Sequence, residues 1–225
     1  MKFTYYGHSC FCVEVKGKKL LFDPFISPNE LANGIDVNKV EADYILISHG
    51  HEDHIADCVS IAKRTGALVI CNFEIYLWLK QQGVEQLHPM NTGGKKAFDF
   101  GTVKCVTAVH SSSLPDGSDG GNPMGFVIMA NKNFYYSGDT ALTLDMQLIP
   151  QGAPISFCIL PIGDNFTMGY EDAARAAHMF SSHTVVGVHY NTFPYIVIDT
   201  VKATDYFKHN GLDLKLPAIG ETIVL

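Results

Sequence analysis

Tyr44-Ile45-Leu46-Ile47-Ser48-His49-Gly50-His51-Glu52-Asp53-His54 is the stretch whose reading decides the fold. Its first four residues are an apolar run of strand length, and a strand delivers the residues after it to the end of a sheet. The last six residues carry three imidazoles and two carboxylates. Ile55 to Lys63 reads as a helix, so the polar cluster occupies a strand-to-helix loop. Protonated, three adjacent imidazoles repel one another; buried without partners, they forfeit hydrogen bonds. A metal ion removes both costs, because neutral imidazole nitrogen and carboxylate oxygen are its natural donors. The spacing lets His49 and His51 reach one ion while Asp53 and His54 turn to a neighbouring one. A polar helix-capping loop is the alternative for the same residues.

Outward from that loop, strands alternate with helices. Lys2 to Tyr6, Phe11 to Val15 and Leu20 to Phe22 read as a meander turned by Gly7-His8-Ser9 and Lys16-Gly17-Lys18. A Pro/Asn/Gly-rich loop from Phe25 to Asn38 leads to the central strand. Ala67 to Cys71 reads as a buried strand, and Glu74 to Gln82 as an amphipathic helix stopped by Gly83. Gly93-Gly94 and Gly101 bracket a hairpin, and Thr102 to Val109 predicts a strand ending in His110. Ser111 to Pro123, dense in Ser, Gly, Asp and Pro, predicts a mobile rim with no apolar anchor. Phe126 to Ala130 and Phe134 to Tyr136 read as a hairpin, Ile155 to Pro161 as a strand, and Glu171 to Ser181 as a helix. Thr184 to Val188 is then a strand ending in His189, and Thr200 to His209 a last helix. Strands come early and again in the middle, each set followed by helices. That order predicts an α+β chain in which two similar strand-rich halves make one domain over residues 1–225.

Composition narrows the function. The 225 residues suffice for one ample domain, and 47% hydrophobic with 17% charged residues is the balance of an ordinary globular protein. No apolar run reaches membrane-spanning length, and the first residues read as a strand rather than a signal peptide. A formal net charge of -7 argues against a broad polyanion-binding surface, hence against nucleic acid as a partner. The six cysteines form no Cys-x-x-Cys pair and sit in apolar runs, as small buried hydrophobes of a reducing, cytoplasmic compartment do. Cys10 and Cys12 share one face of a strand, which suits packing better than metal binding. A small-molecule substrate is expected, no membrane is, and a homo-oligomer stays open.

Three further candidates lie at strand ends: His110, Asp139 in Ser137-Gly138-Asp139-Thr140, and His189. His-x-His-x-Asp-His after a short apolar strand resembles the signature of the metallo-β-lactamase superfamily. That fold is a four-layer αββα sandwich with a one- or two-metal site along one edge. The resemblance spans His8 to Pro194. It implies that His49, His51 and His110 hold a first metal, that Asp53, His54 and His189 hold a second, and that Asp139 bridges both. A narrower resemblance rests on Gly7-His8-Ser9-Cys10-Phe11, Leu21-Phe22-Asp23-Pro24, Asn165-Phe166-Thr167-Met168-Gly169 and His189-Tyr190-Asn191-Thr192-Phe193-Pro194. These are similar to a small metal-dependent hydrolase branch related to bacterial ascorbate-6-phosphate lactonase. Asp23 then reads as accepting the free N–H of a metal-bound imidazole, with a turn-initiating Asp-Pro as the alternative. His8 either points into the site, as a donor to substrate or to a ligand, or is an ordinary turn histidine. Glu52 reads as solvated, and His88, His178, His183 and His209 as non-ligands.

The resemblance implies two divalent ions, zinc first, with manganese, iron or nickel as alternatives. A histidine at position 51, rather than an acid, disfavours the redox di-iron members. An aspartate at the bridge, where lactam-cleaving members often place cysteine, suits esterases, lactonases and phosphodiesterases. Two cations sharing a water lower its pKa toward about 7, and the resulting hydroxide attacks a carbonyl or phosphoryl centre, with Asp53 as ligand and proton acceptor. No Ser-His-Asp arrangement, P-loop or dinucleotide fingerprint competes. The function read from the sequence is therefore a metal-dependent hydrolase of a small anionic ester, lactone or phosphodiester. A metal-dependent ribonuclease or other nuclease is the alternative, followed by a non-catalytic metal-binding protein.

Overall fold

The computed structural model describes residues 1–152 and 154–225. Among them, two seven-stranded sheets pack face to face with helices on both outer sides, a four-layer αββα sandwich. The first sheet contains β1 (Lys2–Gly7), β2 (Cys10–Val15), β3 (Lys18–Phe22), β4 (Tyr44–Leu46), β5 (Leu68–Cys71) and β6 (Leu87–Pro89) in that order. The second contains β7 (Lys95–Phe98), β8 (Gly101–Thr107), β9 (Met124–Met129), β10 (Phe134–Tyr136), β11 (Phe157–Pro161), β12 (Thr184–Val188) and β13 (Asp213–Lys215). A last strand, β14 (Thr222–Val224), returns to pair with β1.

Both sheets change character at the same place. β1 to β3 and β7 to β10 are antiparallel neighbours, whereas β3 to β6 and β10 to β13 are parallel. Parallel neighbours need crossovers, and helices supply most of them. α1 (Glu52–Ile55) and α2 (Cys58–Thr65) join β4 to β5, and α3 (Phe73–Gln81) joins β5 to β6. α4 (Tyr170–Met179) and α5 (Thr200–His209) do the same for β11 to β13.

Side-chain alternation sorts the apolar residues into three layers. Phe11, Val13, Leu20, Phe22, Leu46 and Ile70 face Val103, Phe126, Phe134, Tyr136 and Ile159 between the sheets. The alternate residues Cys10, Cys12, Leu21, Ile45 and Val69 meet Ile61, Ile75 and Leu79 of the first helical layer. On the other side Tyr135, Cys158, Leu160 and Val185 meet the alanines of α4 and Phe207 of α5. All six cysteines are buried free thiols, and Cys10 and Cys12 do lie on one face. A fully buried phenylalanine such as Phe22 or Phe126 contributes about 1.5–3 kcal/mol by leaving water, so the aromatic inter-sheet layer is a principal source of stability.

The structure corrects three local expectations. The helix expected over Ile55 to Lys63 is two helices, broken at Asp57. That residue's Oδ2 instead accepts from the backbone N–H groups of Ile26 (2.6 Å) and Ser27 (2.9 Å). Asp53 and His54 consequently lie in the helical turn α1, not in an open loop. β8 ends at Thr107 rather than Val109, because Val109 leaves the sheet to bond Thr140 Oγ1 and Ala141 N. That detour carries His110 toward Asp139. The rim Ser111 to Pro123 is also anchored: Leu114 is buried in the first helical layer, and Asn72 Nδ2 donates to Gly120 O at 2.6 Å. Ser112 Oγ accepts from Gly50 N, and Asp116 from Trp78.

A candidate metal centre at the strand ends

β1, β3, β4, β8, β10 and β12 all run out toward one edge of the sandwich, where His8, Asp23, His49 to His54, His110, Asp139 and His189 come after them. His49, His51 and His110 form one group, with ring centroids 4.6 to 5.1 Å apart. Their ligand atoms all fall within 4.8 Å of one another. His8, Asp53, His54 and His189 form a second group by the same measure. Asp139 Oδ2 stands between them, 3.0 Å from His189 Nε2, 3.3 Å from His54 Nε2 and 3.7 Å from His110 Nε2.

These separations suit cations. Donors about 2.0–2.1 Å from one ion at tetrahedral angles stand about 3.3–3.4 Å apart, the middle of the observed range. His54 Nε2 and Asp139 Oδ1 are buried with no hydrogen-bond partner. Leaving such atoms unmatched costs about 1–3 kcal/mol each, a cost that coordination removes. The donor set of imidazoles and carboxylates fits a divalent transition metal.

Local backbone places these side chains. His51 is the N-cap of α1, so Asp53 and His54 fall in the first helical turn and diverge from His49 and His51. His189 adopts a left-handed conformation (φ 54°) just after β12, and its N–H donates to His8 O at 2.9 Å. Gly163 packs against the His189 carbonyl so closely that a Cβ there would collide with it.

Asp23 organises both groups from beneath. Fully buried, it accepts from Ser48 N (2.7 Å) through Oδ1, and from Ser48 Oγ (2.5 Å) and Tyr136 OH (2.6 Å) through Oδ2. His54 Nδ1 lies 2.8 Å from the same Oδ2. A carboxylate surrounded by donors fixes the His54 proton on Nδ1 and leaves Nε2 as a lone pair. Ser48 has spent its one proton on Asp23, so its oxygen accepts from His49 Nδ1 at 3.0 Å. His49 thereby also presents Nε2. One carboxylate orients a histidine in each group.

His8 is caged. Its ring packs edge-on to Phe25 and Phe193 and lies 4.2 Å from that of His189, with its side chain fully buried. Nε2 is 2.9 Å from Asp53 Oδ2, and Nδ1 is 3.0 Å from Thr192 Oγ1. Its two nitrogens thus meet Asp53 and Thr192, and its ring is enclosed by Phe25, Phe193 and His189.

Charge is divided unevenly in the metal-free chain. Burial pushes His49 well below the ordinary imidazole value, and His8 down to about 4. Burial also lowers His51 and His110. It acts the same way on His54 and His189, but the Asp139 carboxylate overcomes it: His54 rises well above its ordinary value and His189 to about 9. Burial opposes ionisation of Asp139 and Asp53 in turn. His189 and His54 nevertheless hold Asp139 well below the carboxylate range, and His54 does most to hold Asp53 there.

All seven residues implied as ligands are brought to this edge, with Asp23 and His8 directly behind them. Glu52 is exposed at the start of α1. Among the described residues, His88, His178, His183 and His209 stand in none of the groups. Sequence reading missed Ser48, Tyr136 and Thr192, which hold the histidines and Asp53 in place. Ser48 adjoins His49 and Tyr136 ends a strand three residues before Asp139, but a lone hydroxyl carries no spacing signal.

Comparison with known proteins agrees with this fold. The family described as "Beta-lactamase superfamily domain" matches residues 2–189. A "UPF0173 metal-dependent hydrolase" of Flavobacterium johnsoniae is 50% identical over 226 residues, covering all of both chains. One from Methylacidiphilum infernorum is 49% identical over the same span, again with full coverage. Among solved structures, a metallo hydrolase from the hyperthermophilic archaeon Ignicoccus hospitalis superposes with a TM-score of 0.89 at 36% identity, over 99% of this chain and 97% of that one. An isothiocyanate hydrolase from Delia radicum gut bacteria shares the fold, with a TM-score of 0.82 at 21% identity over 100% and 99% of the two chains. Among the described residues no helix is long and apolar enough to cross a membrane.

Proposed function

The chain belongs to the metallo-β-lactamase superfamily, in its metal-dependent hydrolase branch, and from that premise we propose that it is a dinuclear hydrolase of small anionic esters, lactones or phosphodiesters. The observation that carries this reading is the position of Asp139, whose Oδ2 is within 3.7 Å of a histidine nitrogen from each group. In this reading His49, His51 and His110 hold one divalent ion, Asp53, His54 and His189 the other, and Asp139 both. Zinc heads the candidates, then manganese, iron or nickel. Residues 1–225 act as one domain of two similar halves.

Bound ions supply Lewis-acid polarisation of the scissile group and acidify water at neutral pH. The chain's residues do the rest. Asp23 and Ser48 keep the His49 and His54 lone pairs aimed inward. Asp53, 26% exposed at its side chain, stands at the open side of the site, where it can take a proton from the reacting water. Asp139, fully enclosed, balances charge between the groups. Two divalent ions outweigh these two carboxylates, and neutral imidazoles offset nothing. The cleft therefore favours one phosphate or carboxylate group, while the net charge of -7 works against a long polyanion.

The relatives' names stop at "metal-dependent hydrolase" and give no support to kinship with ascorbate-6-phosphate lactonase, so lactones enter as one substrate class among three. The test is a panel of nitrophenyl esters, small lactones, bis(nitrophenyl) phosphate and RNA, assayed on metal-reconstituted protein beside Asp139→Asn. Turnover of a small substrate that disappears in the variant supports the proposal. Faster RNA cleavage that disappears with it replaces the proposal with a nuclease.

A further inference from the structure

His8 and Thr192 lie 184 residues apart in sequence and meet behind Asp53. The Asp53 carboxylate approaches the surrounding imidazoles through Oδ2, 2.9 Å from His8 Nε2 and 3.7 Å each from His54 and His189 Nε2. An ionised carboxylate only accepts, so a hydrogen bond at 2.9 Å requires the His8 proton on Nε2. Nδ1 is then an acceptor, and the Thr192 hydroxyl at 3.0 Å is placed to donate to it. We propose that Thr192 and His8 form a positioning relay that selects the Oδ2 atom of Asp53 as its metal-binding oxygen and leaves Oδ1 as the carboxylate's free acceptor.

A rival arrangement is physically defined. Thr192 can instead donate to Tyr190 O, at 3.4 Å. His8 then donates from Nδ1 to Thr192 and offers Nε2 to the second metal as a ligand. Two observations favour the relay. The Thr192–Tyr190 contact is long where the Thr192–His8 contact is of ordinary length. Asp53, His54, His189 and Asp139 already provide four protein donors, the usual complement for zinc. His8 is also held too firmly to swing elsewhere, by Phe25, Phe193 and the bond from His189 N to its carbonyl.

The relay rests on the reading that Asp53, His54 and His189 hold a metal, and its test separates the two. Wild-type protein, His8→Ala, His8→Gln and Thr192→Val are each checked for folding by circular dichroism. They are then titrated with zinc against a competing chelator, with cobalt absorption identifying which site fills. A glutamine amide donates to Asp53 much as Nε2–H does, but is a poor substitute for an imidazole ligand. The relay predicts that His8→Ala weakens the second ion by about 10–100-fold and leaves the first unchanged, as loss of a ligand's supporting hydrogen bond does. His8→Gln recovers most of that loss, and Thr192→Val falls between. Glutamine as damaging as alanine, or second-site affinity unchanged in Thr192→Val, overturns the relay while the two-metal reading stands. If His8→Ala does not fold, second-site affinity near wild type in His8→Gln with a loss in Thr192→Val supports the relay, and an unchanged Thr192→Val or a His8→Gln weaker than Thr192→Val overturns it. Wild-type protein that takes up fewer than two ions overturns both.

Discussion

Asp23 Oδ2 lies 2.8 Å from His54 Nδ1, tying the residue after β3 to helix α1 after β4. Because Ser48 and Tyr136 converge on the same carboxylate, Asp23 sets both the tautomer of His54 and the height of the loop after β4. Asp23→Asn replaces one acceptor oxygen with a donor amide facing a cluster of donors. Zinc titration should show second-site affinity lower by about 10–100-fold. Calorimetry should show a lower Tm in the metal-free variant, since at least one buried donor loses its acceptor at about 1–3 kcal/mol.

Asp139→Asn should reduce turnover more than replacement of any one ligand histidine by alanine. It keeps the shape of the bridge but removes the charge that offsets two cations. Steady-state kinetics on the substrate found in the panel checks this, with metal content measured on the same preparations. His88→Ala and His178→Ala, outside both groups, should leave kcat/KM unchanged.

Metal-free protein should be most stable near pH 6.5. His189, raised from 6.5 to about 9, and His54, raised as well, bind protons more tightly folded than unfolded. Their contribution is complete below pH 6.5 and is lost as pH climbs through 9. His8, lowered to about 4, and His49 work in the opposite sense, so stability also falls as pH drops from 6.5 toward 4. Thermal melts of chelator-treated protein from about pH 4.5 to 9 check both arms. Metal uptake should strengthen across the alkaline arm, because His54 and His189 must shed protons to coordinate.

Gly163→Ala should weaken metal binding from outside the ligand set. A methyl group there meets the His189 carbonyl and the Ile196 side chain, and backbone cannot yield cheaply. Displacing that carbonyl moves the His189 ring away from Asp139. Metal titration should show loss at the second site, while Gly152→Ala, with nothing near its Cβ, should behave as wild type.

Much of this site was legible because its chemistry is dense in sequence. His49 to His54 place four candidate ligands in six residues, and the alternation around them identified the inter-sheet strands. His110, Asp139 and His189 stood out by their strand-end positions, but only resemblance supplied their roles, since each is a single polar residue after an apolar run. Helix breaking at Asp57 was hidden because its cause, the backbone of Ile26 and Ser27, is about 30 residues away. β6, β13 and β14 escaped notice as three-residue strands whose pairing comes from the sheet edge and not from their own pattern. The rim after His110 looked unanchored because its apolar anchor is one residue, Leu114, and its other ties are hydrogen bonds to Asn72, Gly50 and Trp78.

The most direct measurement of the central claim is anomalous diffraction from crystals of metal-loaded protein. Two peaks are predicted, one among His49, His51 and His110 and one among Asp53, His54 and His189, with Asp139 contacting both. A single peak, or peaks away from these residues, contradicts the dinuclear account.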